Sequence, residues 1–256
     1  MFVKEFFKGL KAYSKGNRVI FKYNLWPYMI LPGMMSVLYI TLLIFAGTVY
    51  FPDLSGFIME NWIPAFLKGG IMYAVTSVVL WIFLVLIGYM TYKPVILILF
   101  SPVLSYLSEI TENVVYNRQS PDFDFKQLLK DIVRGLVINM RNIFLMLMFI
   151  FLAWFLVFIP VIGAIFSAIM IFLIQFFYDG SGLVDYTLER KRYSVRESIR
   201  FVHNNRARIT GIGMGFFLLM LIPVAGWFTA PTYGTVAATL AALEKINEND
   251  PQLENL

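Results

Sequence analysis

Two similar interruptions divide the long apolar runs in the C-terminal half of the chain. The first is Ile159-Pro160-Val161-Ile162-Gly163, and the second, 63 residues later, is Ile222-Pro223-Val224-Ala225-Gly226. Proline removes a backbone donor and clashes with the preceding helical turn, whereas glycine permits the conformations that a chain reversal needs. Each interruption therefore predicts a helical hairpin, the first over residues 142–178 and the second over residues 209–243.

The four helix-break positions Pro160, Gly163, Pro223 and Gly226 allow two interpretations. They are either plain turns between spanning helices, or breaks at which free backbone donors face a wet cavity and attract an anion. The arms of the hairpins are about 14 to 20 residues long, and a full crossing needs about 17 to 25. The sequence leaves open whether these hairpins span the membrane or only partly penetrate it.

Composition places the whole chain in a lipid environment. Hydrophobic residues make up 59% of the sequence and charged residues 14%, with a mean hydropathy of +0.72. Water-soluble domains do not have this composition, so we expect an all-α, polytopic integral membrane protein. The sequence has no cysteine and one histidine, and it has no nucleophile elbow or phosphate-binding loop. We expect no enzyme activity, no cofactor and no metal site.

Apolar runs and charge mark out one membrane domain over residues 1–256. Residues 1–22 alternate lysines with apolar residues at helical spacing, the pattern of an amphipathic helix in the lipid headgroup region. Residues 25–51 and 70–92 are long enough to be transmembrane helices. Residues 244–256 form a polar, acidic tail.

Basic residues cluster beside apolar segments, in the N-terminus, in the middle of the chain and in an arginine-rich linker between the two hairpins. The tendency of such residues to stay on the cytoplasmic side predicts that both termini are cytoplasmic. Anionic lipids explain this positive charge better than nucleic acid does, and we expect no nucleic acid partner.

A few polar residues in or beside apolar segments are candidate site residues. Arg134 and Arg141 share one face of an amphipathic stretch and are candidate anion ligands. Glu109 and Glu112 follow an apolar run, and a carboxylate near membrane depth needs a partner or water. Either Arg134 or Arg141 is that partner, or the two carboxylates are simply exposed at the surface. Gln175 is a candidate for a pore contact or for a hydrogen bond between helices.

The order of several motifs resembles that of the CysZ sulfate permease family, which shares a domain with an etoposide-induced eukaryotic membrane protein. The resemblance covers nearly the whole chain. It is carried by Phe100-Ser101-Pro102-Val103-Leu104-Ser105-Tyr106-Leu107-Ser108-Glu109, Asp131 to Arg134, Phe158 to Gly163, Ile174-Gln175, Asp185-Tyr186, Glu189-Arg190, Ile222-Pro223 through Ala230-Pro231, and Gly234-Thr235.

This resemblance implies a helical inner-membrane protein that assembles as a homo-oligomer and admits sulfate for cysteine synthesis. It also implies two full-length crossings plus partly penetrating hairpins. The family carries an arginine pair before the first span, where this chain has Leu25-Trp26. Arg18, Lys22 and Asn24 are near that position and are further anion-binding candidates. A sulfate site at this place is harder to build without arginine's planar fork.

We therefore expect a permease or channel for a small oxyanion, sulfate first. The alternative is a membrane module that does not transport and that organises lipids or partner proteins. The missing arginine pair favours the alternative, and the basic faces near the predicted helix breaks favour transport.

Overall fold

The computed structural model describes residues 2–116, 125–160, 162–222 and 224–249, all in helices, turns and short connections. Three short 3₁₀ segments, Trp26–Met29, Ala65–Leu67 and Phe155–Phe158, precede or follow longer helices. The α-helices of this part of the chain are α1 (Phe2–Lys22), α2 (Ile30–Asn61), α3 (Gly70–Leu99), α4 (Ser101–Tyr116), α5 (Phe125–Trp154), α6 (Gly163–Arg190), α7 (Val195–Asn204), α8 (Arg206–Met220) and α9 (Ala225–Asn249).

Among the residues that the structure describes, four helical segments are long and apolar enough to cross a membrane, and they lie at Trp26–Asn61, Gly70–Gly88, Val133–Phe158 and Gly163–Arg190. The predicted all-α membrane class is confirmed. The two hairpins differ in the length of their helices. In the first, α5 and α6 are both long enough to cross a membrane, whereas in the second α8 has only 15 residues. How deeply either hairpin enters the bilayer stays open.

The chain divides into two compact units, and the smaller one is Gly33–Leu97. It is an antiparallel pair of the two long helices α2 and α3. Tyr39 donates a hydrogen bond to the Gly88 carbonyl at 3.0 Å, and the Ser55 and Ser77 hydroxyls are 3.3 Å apart further along. Most of its large apolar side chains are exposed, as expected for a hairpin that faces lipid. The prediction of a single domain over residues 1–256 stays a prediction.

The larger unit, Met1–Pro32 with Ile98–Leu256, is built around the short helix α8. Helix α8 packs against α1, α6 and α9, and α9 also packs against α4. Glycines set the distance between these helices. A Cβ atom on Gly9 would overlap the Arg208 carbonyl oxygen, and one on Gly211 would overlap the Phe6 carbonyl oxygen. The crossing of α1 and α8 is therefore a reciprocal contact between backbones.

The backbones of α6 and α8 also come into direct contact at glycines. A Cβ on Gly180 would overlap the Ile209 carbonyl oxygen, and one on Gly213 would overlap the Phe176 carbonyl oxygen. Lipid is as apolar as the helices, so their association depends on close packing rather than on the hydrophobic effect. Gly211 and Gly213 near the start of α8 are therefore close-packing positions.

The two predicted reversals have closely similar backbone geometry. In the first, the Ile159 amide donates to the Leu156 carbonyl at 3.0 Å and the Gly163 amide donates to the Ile159 carbonyl at 3.0 Å. In the second, Ile222 and Gly226 make the corresponding bonds at 3.0 and 2.8 Å. A side chain on either glycine would overlap the leucine carbonyl seven residues earlier. Glycine is therefore required at both turns; Pro223 lies outside the described residues.

Helix α1 packs through small residues rather than through its phenylalanines. Gly9, Ala12, Gly16 and Ile20 are buried against the rest of the unit. The phenylalanines near its start, Phe2 and Phe7, are exposed instead.

The glycine contacts predict a sharp difference between two Gly→Ala substitutions. Gly213→Ala forces a methyl group into the α6 backbone and should lower the free energy of unfolding by about 1–3 kcal/mol. Gly56→Ala on α2 meets no atom within 4 Å, and relief of glycine's backbone entropy should leave stability unchanged or raise it by about 0.5–1 kcal/mol. Thermal unfolding in detergent measures both; equal effects would contradict the packing account.

Candidate functional site

Arg134 on α5 is engaged by several groups of the protein. Its guanidinium forms a two-pronged pair with Asp185 on α6, at 3.1 and 3.3 Å. It also donates to the Tyr193 carbonyl at 2.8 Å and to the Ser198 hydroxyl at 2.6 Å, and Glu189 lies 3.8 Å away. Arg134 therefore joins α5, α6 and the start of α7, and four of the five N–H donors of its planar fork form hydrogen bonds within the protein.

Glu112 on α4 is neutralised from α6. Its carboxylate accepts from Arg190 at 3.2 Å and from Lys191 at 2.5 Å. Burial alone would raise the pKa of Glu112, but the nearby lysine and arginine outweigh it and lower the pKa. Glu109 is half-buried and also interacts electrostatically with Arg190.

The expectation that Arg134 or Arg141 pairs with Glu112 is wrong. Helix α4 packs mainly on α6 and α9, so its carboxylates meet cations from the end of α6 rather than those of α5. The expectation that a carboxylate at this depth needs a partner holds, and only the identity of the partner differs.

Three buried hydroxyl groups support this ion pair. The oxygens of Ser108, Thr187 and Thr239, on α4, α6 and α9, lie 2.8 to 3.2 Å from one another. Arg190 donates to the Ser108 hydroxyl at 3.0 Å and to its carbonyl at 3.1 Å. Sequence reasoning missed this network, because single serines and threonines in apolar helices give no sign of which helix they face.

A second charge cluster joins both ends of the larger unit. Arg208 on α8 is 1% exposed, and its Nε donates to Glu5 on α1 at 3.0 Å. Lys245 on α9 lies 3.3 Å from the same Glu5 carboxylate. Burial would raise the pKa of Glu5, but Lys8, Arg208 and Lys245 outweigh it and lower the pKa to about 2. Neither Glu5 nor Arg208 was a predicted site residue.

Arg141 is a candidate cation that the described protein leaves available beside a cavity. It is half-buried, forms no ion pair with any described residue, and donates only to the neighbouring Asn142 side chain, at 3.4 Å. It lines a cavity of about 20 Å³ between α5, α6 and α7. The polar groups around this cavity are Arg141, Asn142, Tyr178, Ser181, Asp185, Ser198 and His203.

His203 contributes one free ring nitrogen to the rim of this cavity. Its Nδ1 lies 3.0 Å from the Ile199 carbonyl, which can only accept, so Nδ1 carries the proton and Nε2 remains available. Asn142 donates to Ser181 at 3.3 Å and is thereby fixed in place. The cavity therefore offers one arginine, several neutral hydrogen-bonding groups, and the Asp185 carboxylate, which is paired with Arg134.

The N-terminal candidates Arg18, Lys22 and Asn24 are exposed. Within the part of the chain that the structure describes, no hydrogen bond or ion pair joins them to Arg134 or Arg141. Asn24 has a positive φ of 55° at the end of α1.

The remaining candidates bring no further polar group to the cavity. Gln175 is half-buried and forms no hydrogen bond with the described residues. Pro160 is exposed at the tip of the first hairpin. Within the described ranges no group of three His, Cys, Asp or Glu side chains is placed to hold a metal ion.

Long apolar helices, glycine-mediated crossings and neutralised interior carboxylates define a polytopic helical membrane protein. The EI24 family model, described as Sulfate transporter CysZ/Etoposide-induced protein 2.4, matches residues 12–231. The chain belongs to this family, as its motifs indicated. A comparison with curated proteins finds no match.

Removal of Arg134 should cost far more stability than removal of an exposed arginine. Arg134→Met leaves the Asp185 carboxylate, 5% exposed, without its cation and should lower the free energy of unfolding by about 3–5 kcal/mol. Arg196→Met on the exposed face of α7 is the control, expected within about 0.5 kcal/mol of the parent. Thermal unfolding in detergent compares them, and similar losses would contradict a structural role for Arg134.

The Glu5 cluster predicts loss of stability in acid. The pKa of Glu5 falls from 4.5 in the unfolded chain to about 2 in the folded one. The stabilisation of the fold by the Glu5 carboxylate is therefore complete above pH 4.5 and is lost as the pH falls toward 2. Glu112, whose pKa is also lowered, contributes in the same direction. The midpoint of thermal unfolding should decrease below pH 4.5, and less steeply in Glu5→Gln. The same slope in both proteins would show that Glu5 is not responsible.

Proposed function

We propose that this chain is a permease or channel that lets a small oxyanion, sulfate first, cross the cell inner membrane. Its membership of a family described as a sulfate transporter and its four apolar helices support this proposal. Both termini would be cytoplasmic, and the working form would be a homo-oligomer. The protein would have no enzyme activity of its own.

The observation that carries the proposal is the unpaired charge of Arg141. The interior carboxylates Asp185 and Glu112 are each matched by cations, so they do not repel an anion. Arg141 forms no ion pair with a described carboxylate, and it faces a cavity lined by neutral polar groups and by Asp185, whose charge Arg134 already neutralises. A guanidinium in a partly desolvated site attracts an oxyanion strongly and can bind two of its oxygens.

The size of the cavity sets a condition on this mechanism. A volume of about 20 Å³ holds a water molecule, and a five-atom oxyanion needs more room. Helix α7 forms one wall, and its buried side chains are Ser198, Phe201 and Val202. Arg134 holds Ser198 on α7 and the carbonyl of Tyr193, which precedes α7. We propose that α7 moves outward as the anion reaches Arg141, and that Arg134 limits this movement.

Sulfate flux into proteoliposomes tests the proposal. Arg141→Gln removes the charge but keeps hydrogen-bonding capacity, and it should lower flux at least about tenfold, because a charge-assisted hydrogen bond contributes about 1.5–3 kcal/mol. The matched control is Arg196→Gln, an exposed arginine outside the cavity. Flux in the parent no greater than in empty liposomes would reject transport, and equal flux in both variants would reject the role of Arg141.

A module that does not transport is the second candidate. One observation favours it: Leu25, at the position of the family's arginine pair, is 3% exposed and is packed into the protein rather than presented to solvent. The midpoint of thermal unfolding separates the two functions. Stabilisation by sulfate but not by chloride at equal ionic strength supports an oxyanion site, and a response to anionic lipid alone supports the module.

A further inference from the structure

A row of unpaired cations runs along the outer face of α1. Its members are exposed, are spaced by seven or four residues, and have no carboxylate partner among the described residues: Lys4, Lys11, Arg18 and Lys22. Seven residues are nearly two helical turns, so the four lie in one stripe along the helix. We call this stripe the basic stripe of α1.

The other two lysines of α1 that lie near this stripe behave differently. Lys8 is 3.1 Å from Glu5, and Lys15 is 3.4 Å from Glu244 on α9. Lys8 and Lys15 are therefore paired with carboxylates of the protein, and the Lys15 side chain stays 66% exposed. The basic stripe is distinguished by its lack of a carboxylate partner among the described residues, which leaves it for something outside the described structure.

Apolar side chains accompany the basic stripe on one flank. Val3, Phe7 and Phe21 are 65%, 51% and 59% exposed, and helical geometry places them on one strip beside the lysines. The opposite face of α1, with Gly9 and Gly16, is the one that packs on α8 and α9. Phenylalanines and lysines exposed side by side match the boundary between acyl chains and headgroups.

The short connection after α1 limits the distance between the end of this helix and the first candidate membrane span. Helix α1 ends at Lys22, and the first candidate span begins at Trp26. Four residues reach at most about 14 Å, so the end of the basic stripe lies near the membrane surface wherever this candidate span enters the bilayer at its start. Tyr23 and Trp26, both exposed, are the aromatic residues expected at that depth.

We propose that the basic stripe of α1 binds the anionic headgroups of the membrane leaflet, with Val3, Phe7 and Phe21 inserted among the acyl chains. The proposal does not depend on transport. The ligand is the phosphate of an anionic phospholipid held in the bilayer. Charge complementarity favours it over zwitterionic lipid, and the apolar flank favours it over free phosphate or an acidic protein.

Two matched double variants of the full chain test this proposal in nanodiscs. Lys4→Gln/Lys11→Gln removes two members of the basic stripe, and Lys8→Gln/Lys15→Gln removes two paired lysines with the same spacing on the same helix. The readout is the rise in unfolding temperature as phosphatidylglycerol replaces phosphatidylcholine. Each lysine near an anionic surface strengthens binding about fivefold. In the first variant only, the fraction of phosphatidylglycerol that gives half of the full rise in unfolding temperature should therefore increase about 25-fold, or the rise should no longer reach a plateau.

Three results would overturn the proposal. They are equal shifts in the two variants, no response of the parent to phosphatidylglycerol, and an equal response of the detergent-solubilised parent to inorganic phosphate. A second measurement does not depend on stability. The chain has no cysteine, so single nitroxide labels at Phe7→Cys and Lys11→Cys can be placed. The first should be shielded from a water-soluble relaxation agent and the second only partly; full accessibility of both would place α1 in water and reject the proposal.

Discussion

The larger unit depends on backbones that touch at glycine. Helix α8 can lie between α1 and α6 only because Gly211 and Gly213 present no side chain to the neighbouring carbonyl oxygens. In lipid the hydrophobic effect supplies little attraction between helices, so this close approach is the source of dispersion energy that holds them. The Glu5–Arg208 pair lies between α1 and α8, which cross at glycines, and the Arg134–Asp185 and Glu112–Arg190 pairs lie where α5 and α4 meet α6.

Charge pairing decides what the interior can attract. Asp185, Glu112 and Glu5 sit in poorly hydrated positions and each is paired with at least one cation: Asp185 with one, and Glu112 and Glu5 with two or more. The cost of an unpaired buried charge demands such pairing. Arg141 departs from this rule among the described residues of the cavity. A half-buried guanidinium without a carboxylate is stable only if water or an anion satisfies it, and that requirement links the energetics of the fold to the proposed transport.

Much of the fold could be predicted from the chain itself. Composition and the length of apolar runs predict a helical membrane protein, and the Pro-Gly interruptions predict reversals that the structure forms at Ile159 to Gly163 with the backbone bonds of a turn. The candidate site could be predicted only as a set of residue types. Arg134 and Arg141 share a helical face in the sequence, but Arg134 forms an ion pair with Asp185 whereas Arg141 lines a cavity.

The sequence by itself determined the membrane environment, the helical class and the places where the chain reverses, because these depend on local periodicity and on the backbone limits of proline and glycine. Only the tertiary structure decided which carboxylate forms an ion pair with which cation. Glu112 reaches Arg190 and Lys191, 78 and 79 residues away, because α4 crosses α6 there. Pairing over such separations depends on the direction in which helices cross, which the order of residues along one helix does not contain.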